Sequence, residues 1–260
     1  MERVLHTYHE PSPELTGYYD SDRLIETWER AWADAGWRTR ILTLAEAREH
    51  PRWPGYDADI HRLPTINPRS YEDTNYHRWM AMAVVGGGFM SDTDVLLLGH
   101  WEPRADPGLT VYSIDYLEGD GACPCFVHGA AADYEAACDY FAGAAEWAGG
   151  WRHVSDQELL RAGRLLYDLR PEVLTYGDPR LAAEGRAVHL KNDAIRSERG
   201  TKSERVARLY SELTRPRPWW RALVRRADAA SRTQRPATSR TTSQARPLIP
   251  RTLRARRELG

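Results

Sequence analysis

The chain has 260 residues, 42% of them hydrophobic and 10% aromatic, enough to bury one full core and too few for two large domains. No stretch approaches the roughly 20 apolar residues of a membrane span, and Met1-Glu2-Arg3-Val4-Leu5-His6 has no apolar leader region, so a cytoplasmic protein is expected. The formal net charge of -1 conceals an asymmetry: residues 215–260 hold thirteen arginines against Asp228 and Glu258, near +11, leaving 23 basic and 35 acidic residues in residues 1–214, near -12.

Arg3 to His9 is short, β-tolerant and followed by Pro11 and Pro13, which predicts a buried first strand. Asp20 or Ser21 then caps a helix whose apolar face is Leu24, Ile25, Trp28, Ala31, Trp32 and Ala35, closed by Gly36. Trp37 to Leu44 reads as a second strand, and strand, helix, strand with short connections opens an α/β sheet. Ser70 and Asp73 resemble a capping pair for a second amphipathic helix carrying Tyr76, Trp79, Met80, Ala83 and Val84, which ends at Gly86-Gly87-Gly88. Phe89-Met90-Ser91 leads into Asp92-Thr93-Asp94 and the apolar run Val95-Leu96-Leu97-Leu98, so an acidic pair sits at a strand end, where side chains face a crevice. Strands are predicted at Thr110 to Ile114, Pro124 to His128 and Ala187 to Leu190, and a helix between Ala130 and Ala142. Two capping boxes, Ser155 with Glu158 and Thr201 with Glu204, start helices with apolar faces Leu159, Leu160, Leu165 and Val206, Leu209, Leu213. From residue 215 the composition turns to Arg, Pro, Ser, Thr and Ala, which predicts a disordered tail around one short basic amphipathic segment, Trp219 to Arg226, suited to an anionic surface or partner. The expected organisation is one α/β domain over residues 1–214 and a basic tail over 215–260.

Two aspartates separated by one residue at a strand end can present oxygens to one hard divalent cation, directly and through water. The apolar run after Asp94 excludes a calcium loop, which would place a glycine there, and holds the two charges at the edge of a core. Cys123, Cys125 and Cys138 are odd in number, and Cys123-Pro124-Cys125 lacks a second pair at zinc-binding spacing, so reduced, structural thiols are expected. Asp115, Glu118 and Asp120 form an acidic segment that reads as a solvated loop.

The stretch Asn75-Tyr76-His77-Arg78-Trp79 through Gly87-Gly88-Phe89-Met90-Ser91-Asp92-Thr93-Asp94-Val95 resembles the glycosyltransferases with a DXD-containing sugar-binding region, the capsular polysaccharide and mannosyltransferase type. An arginine-bearing helix, a Gly-Gly turn, three residues and then Asp-x-Asp follow one another at the family spacing. The resemblance implies a GT-A fold, a Rossmann-like mixed sheet flanked by helices. It implies a nucleotide-diphospho-sugar donor, a Mn²⁺ or Mg²⁺ ion on Asp92 and Asp94, and retention of anomeric configuration. It also places Asn75, Arg78, Gly87 and Gly88 at the donor. Asn75 stands where the family has an aspartate, and Ser91 where it has an apolar residue. His189, within Val188-His189-Leu190-Lys191-Asn192-Asp193, resembles the late histidine that completes the metal site in related enzymes, with Lys191 placed for a phosphate.

The expected activity is transfer of a hexosyl group from a UDP- or GDP-sugar to a saccharide hydroxyl. Two alternatives stand beside it: an acceptor of hydroxymethylated DNA held by the arginine-rich tail, and a catalytically decayed binding protein of the same fold.

Overall fold

The opening strand, helix, strand unit is present as β1 (Val4–Tyr8), α1 (Ser21–Ala33) and β2 (Arg38–Leu42). β1 and β2 pair in parallel from Val4↔Arg38 to Tyr8↔Leu42, and α1 buries Leu24, Thr27, Trp28, Ala31 and Trp32, a stripe at three- and four-residue spacing. Gly36, at φ +82, turns the chain out of the helix. The computed structural model describes residues 3–11, 21–99, 101–115, 121–164, 166–178, 181, 187–195 and 198–214. Asp20, Glu118, Asp120, Leu165, and the whole of 215–260 with Trp219 to Arg226, lie outside the described residues.

Two short helices follow where the sequence reading placed no element. α2 (Leu44–Arg48) is started by a Thr43 and Glu46 capping box, and α3 (Trp53–Ile60) by a proline in its first turn. α4 (Arg69–Val84) corrects two expectations. Its N-cap is Pro68, and Asp73 pairs with His61 at 3.3 Å and Arg69 at 3.7 Å instead of capping with Ser70. The helix is also not amphipathic: every residue from Tyr76 to Ala83 is buried, because α2, α5 and strands β1 and β3 pack around it.

The rest of the chain gives β3 (Gly87–Ser91), β4 (Val95–Leu97), β5 (Leu109–Asp115), β6 (Gly121–Ala130), α5 (Ala131–Ala144), α6 (Asp156–Ala162), β7 (Tyr167–Thr175), β8 (Ala187–His189), α7 (Asn192–Ile195) and α8 (Lys202–Thr214). Among the described residues the strands form one 8-stranded mixed sheet in the order β2-β1-β3-β6-β5-β7-β8-β4. β3 and β4 lie third and eighth in that order, about 24 Å apart in a flat sheet at ~4.8 Å per strand. The residues Asp92-Thr93-Asp94 that join them bridge at most about 14 Å. The sheet therefore curls, bringing its far edge back beside β3.

Alternate residues of the central strands feed two cores on opposite faces. Met90, Val111 and Val127 join the core under α2 to α6, while Phe89, Tyr112 and Phe126 join the core under α1 and α8. Both predicted capping boxes are formed, Ser155 with Glu158 ahead of α6 and Thr201 with Glu204 ahead of α8. No helix among the described residues is long and apolar enough to cross a membrane.

Candidate functional site

Asp92, Thr93 and Asp94 sit at the carboxyl end of β3, and α1 ties the chain on both sides of them, to a side chain before and to the backbone after. Trp28 Nε1 donates to Ser91 Oγ at 2.8 Å and Trp32 Nε1 donates to the Val95 carbonyl at 2.9 Å. Ser91 is thus a buried acceptor for an indole, which accounts for a hydroxyl at a position where an apolar side chain would leave the Trp28 N–H unmet. The Asp92 amide donates to the Cys125 carbonyl and the Leu190 amide to the Asp94 carbonyl, each at 2.9 Å, so β6 and β8 hold the triplet from below. The β4 and β8 register sets Val95 opposite His189, which brings the imidazole beside Asp94.

These residues open onto a cleft of about 690 Å³ lined by Asn75, Arg78, Asp92, Asp94, His189 and Lys191 among others. The cleft runs along the carboxyl ends of β1, β3 and β8, the position where α/β sheets bind ligands. Asn75 and Arg78 reach it from α4, three residues apart on one face. Gly87 and Gly88 are not among its lining residues. Gly87 is required by packing: its φ is +82, and a Cβ there would lie 2.4 Å from the Gly129 carbonyl oxygen of β6.

Each carboxylate of the pair has its own cation. Arg78 Nη1 meets Asp92 Oδ1 at 2.5 Å, while Nη2 and Nε meet Asp156 Oδ2 at 2.5 and 3.2 Å. Lys202 Nζ meets Asp94 Oδ2 at 2.7 Å, and His189 Nε2 lies 3.4 Å from Asp94 Oδ1. Burial pushes the Asp92 carboxyl up to about 6, against the pull of Arg78 and with the help of Asp94. Burial acts on Asp94 in the same direction, but Lys202 and His189 outweigh it and hold that carboxyl well below the usual range. His189 moves up to about 10: burial lowers it, and Asp94 and Cys123 more than reverse that. Two carboxylates one residue apart thus have separated acidities.

The donor atoms of Asp92, Asp94 and His189 all lie within 4.8 Å of one another. Two carboxylates and an imidazole at that spacing fit a hard divalent cation with positions left for phosphate and water, provided Lys202 yields Asp94 and His189 gives up its proton. The sequence reading found Asn75, Arg78, Asp92, Asp94, His189 and Lys191, and all six line this cleft. It missed Asp156 and Lys202. Asp156 stood inside a recognised capping box, Ser155 to Glu158, where an acidic residue in the first turn has an ordinary explanation. Lys202, one of two lysines in the chain, held the same kind of position in the box from Thr201 to Glu204.

No protein-family model and no curated protein sequence matches the chain. Among solved structures it is similar to the apo form of the glycosyltransferase GlyE of Streptococcus pneumoniae TIGR4, with a TM-score of 0.50 and 12% identity over 88% of this chain and 64% of that one. It is also similar to a glycosyltransferase involved in the glycosylation of the major capsid of PBCV-1, with a TM-score of 0.50 and 9% identity over 80% of this chain and 99% of that one. The chain therefore spans just under two thirds of GlyE. At such identities the likeness is one of backbone architecture, and in that architecture, a curled mixed sheet with helices on both faces, the chain has the fold of glycosyltransferases.

Proposed function

We propose that the chain is a glycosyltransferase that moves a sugar from a UDP- or GDP-sugar to a saccharide hydroxyl, with Mn²⁺ or Mg²⁺ held by Asp92, Asp94 and His189. The observation that carries this reading is the convergence of those three donor groups on the wall of a cleft that Arg78 and Lys191 also line. A divalent ion bound there would neutralise charge on the diphosphate as it leaves. Arg78, clamped between Asp92 and Asp156, is a rigid guanidinium that orients the first carboxylate. Asn75 offers an amide to a sugar hydroxyl from the same helix face, and Lys191 a charge to a phosphate.

Retention of configuration is the stereochemical reading. Every carboxylate described in the cleft already has a partner: Asp92 and Asp156 on Arg78, Asp94 on Lys202, Glu158 on Ser155, Glu10 on the Leu44 amide. No carboxylate among the described cleft residues is then unengaged. The imidazole of His9 also lines the cleft, its pKa lowered by burial, so the retaining reading, in which the leaving phosphate takes the acceptor proton on its own face of the sugar, rests on the carboxylates alone. The test is isothermal titration with a panel of UDP- and GDP-sugars, with and without Mn²⁺, for the intact chain and for an Asp92→Ala, Asp94→Ala variant. Metal-dependent donor binding that disappears in the variant is expected. Absence of binding to every donor by the intact chain would refute the transferase reading.

A further inference from the structure

We infer that Cys123, Cys125 and His189 form a site for a thiophilic divalent ion of the zinc class, at the Nδ1 edge of the same imidazole whose Nε2 edge faces Asp94. Cys123 and Cys125 are alternate residues of β6, so both side chains leave the strand on one face, and both belong to the core under α1 and α8. β8 adds His189, with Nδ1 3.9 Å from Cys123 Sγ. The three ligand atoms lie within 4.8 Å of one another and all three residues are buried. A tetrahedral zinc ion with bonds of ~2.3 Å to sulfur and ~2.0 Å to nitrogen needs its ligand atoms about 3.5 to 3.8 Å apart, so closing on an ion takes a movement of about 1 Å.

Three further features suit a soft ion. His189 Nε2, 3.4 Å from Asp94 Oδ1, places a carboxylate behind the ring, the arrangement that orients a metal-bound histidine and fixes its tautomer. Cys123 and His189 both line the cleft, which leaves a fourth coordination position open to water or ligand, as in zinc sites with three protein ligands. The two thiols are free, and alternate residues of one strand stand about 6.6 Å apart at Cα, at the outer limit for a disulfide. Sulfur donors select this class over Mn²⁺ or Mg²⁺, which take oxygen. With a soft ion on Nδ1 the ring keeps its Nε2 proton for Asp94, so the hard ion of the proposed donor site would then rest on Asp92 and Asp94 without the imidazole.

The test is a Co²⁺ titration of the full metal-stripped chain under reducing conditions. A thiolate-to-cobalt charge-transfer band in the near ultraviolet should saturate at about one equivalent and be bleached by Zn²⁺. It should survive Cys138→Ser, whose thiol lies in the other core, and Asp92→Asn. Cys123→Ser and Cys125→Ser should each abolish it. X-ray absorption of the Zn²⁺-loaded wild-type chain, which depends on no variant, should count two sulfur neighbours at ~2.3 Å. Absence of the band at saturating Co²⁺, its survival in Cys123→Ser, or a zinc shell without sulfur would each overturn the inference.

Discussion

Asp156→Ala tests how the site is held together. Asp156 is 3% exposed, and its Oδ2 receives Arg78 Nη2 at 2.5 Å, Arg78 Nε at 3.2 Å and Trp79 Nε1 at 2.9 Å. Truncation leaves a buried guanidinium with Asp92 as its remaining carboxylate and an indole N–H with no acceptor. Removing one member of a buried ion pair costs about 3–5 kcal/mol, much of it from stranding the other charge. Asp156→Asn keeps the shape and one acceptor oxygen but loses the charge, so it should cost about 2 kcal/mol. The assay is urea unfolding at pH 7, read as a fall in midpoint at constant m-value, with the thermal midpoint dropping by about 10 °C for Ala. Replacing both partners, as Arg78→Met with Asp156→Leu, should recover the part of the loss that comes from the stranded guanidinium, leaving the cost of the unmet Trp79 N–H and of Asp92 without its cation, while abolishing donor binding. A cost below about 1 kcal/mol for Asp156→Ala, or an equal cost for Asn and Ala, would refute the buried-pair argument.

His77, buried against Asp57 with its Nε2 2.9 Å from Oδ1, has its pKa lowered by burial from 6.5 to about 4 despite that carboxylate. The unfolded chain therefore binds a proton between pH 6.5 and 4 that the native chain refuses. This contribution to stability is complete above pH 6.5 and falls by about 3 kcal/mol on acidification to pH 4. His77→Asn should flatten the stability profile across that window, and an unchanged slope in urea titrations at stepped pH would contradict it. Lys202→Met removes the ammonium 2.7 Å from Asp94 Oδ2, the cation that the proposed divalent ion would displace. Mn²⁺ affinity followed by electron paramagnetic resonance should tighten about tenfold, and weaker binding would mean that Lys202 supports the ion instead. Gly87→Ala places a Cβ 2.4 Å from the Gly129 oxygen at a φ of +82. It should cost about 3 kcal/mol in urea unfolding, and a neutral result would show that the β3 and β6 pairing gives way easily.

What could be read from the sequence divides along the range of the interaction. α1 was legible because its buried stripe is a local pattern, and the two capping boxes because each closes within three residues. α4 was located but misread as amphipathic, since burial all round a helix depends on α2 and α5, which pack on it from elsewhere in the chain. α2, with five residues, is too short to show a helical period. β7 buries Val173 and Leu174 but presents Asp168, Arg170 and Pro171 before them, so its strand character comes from pairing between β5 and β8 and not from alternation.

The site follows the same division. Asp92 and Asp94 stand out because the chain itself brings them together, and Arg78 and Asn75 because a helix fixes their spacing. Asp156 lies 78 residues from Arg78, and nothing near it in sequence records the guanidinium it holds. Ser91 looked like a departure until Trp28, 63 residues earlier, supplied the donor that explains it. His189 is the instructive intermediate. Its strand was legible, but its neighbours on either edge of the ring, Asp94 and Cys123, are set by the curl that carries β8 and β4 back beside β3. The short link from Ser91 to Val95 enforces that curl by forbidding a flat sheet. The acidic triplet is therefore both the proposed donor of metal-ligating oxygens and the tether that assembles the site, and lengthening it by about three residues would let the chain span a flat sheet and relax the closure that brings His189 to Asp94.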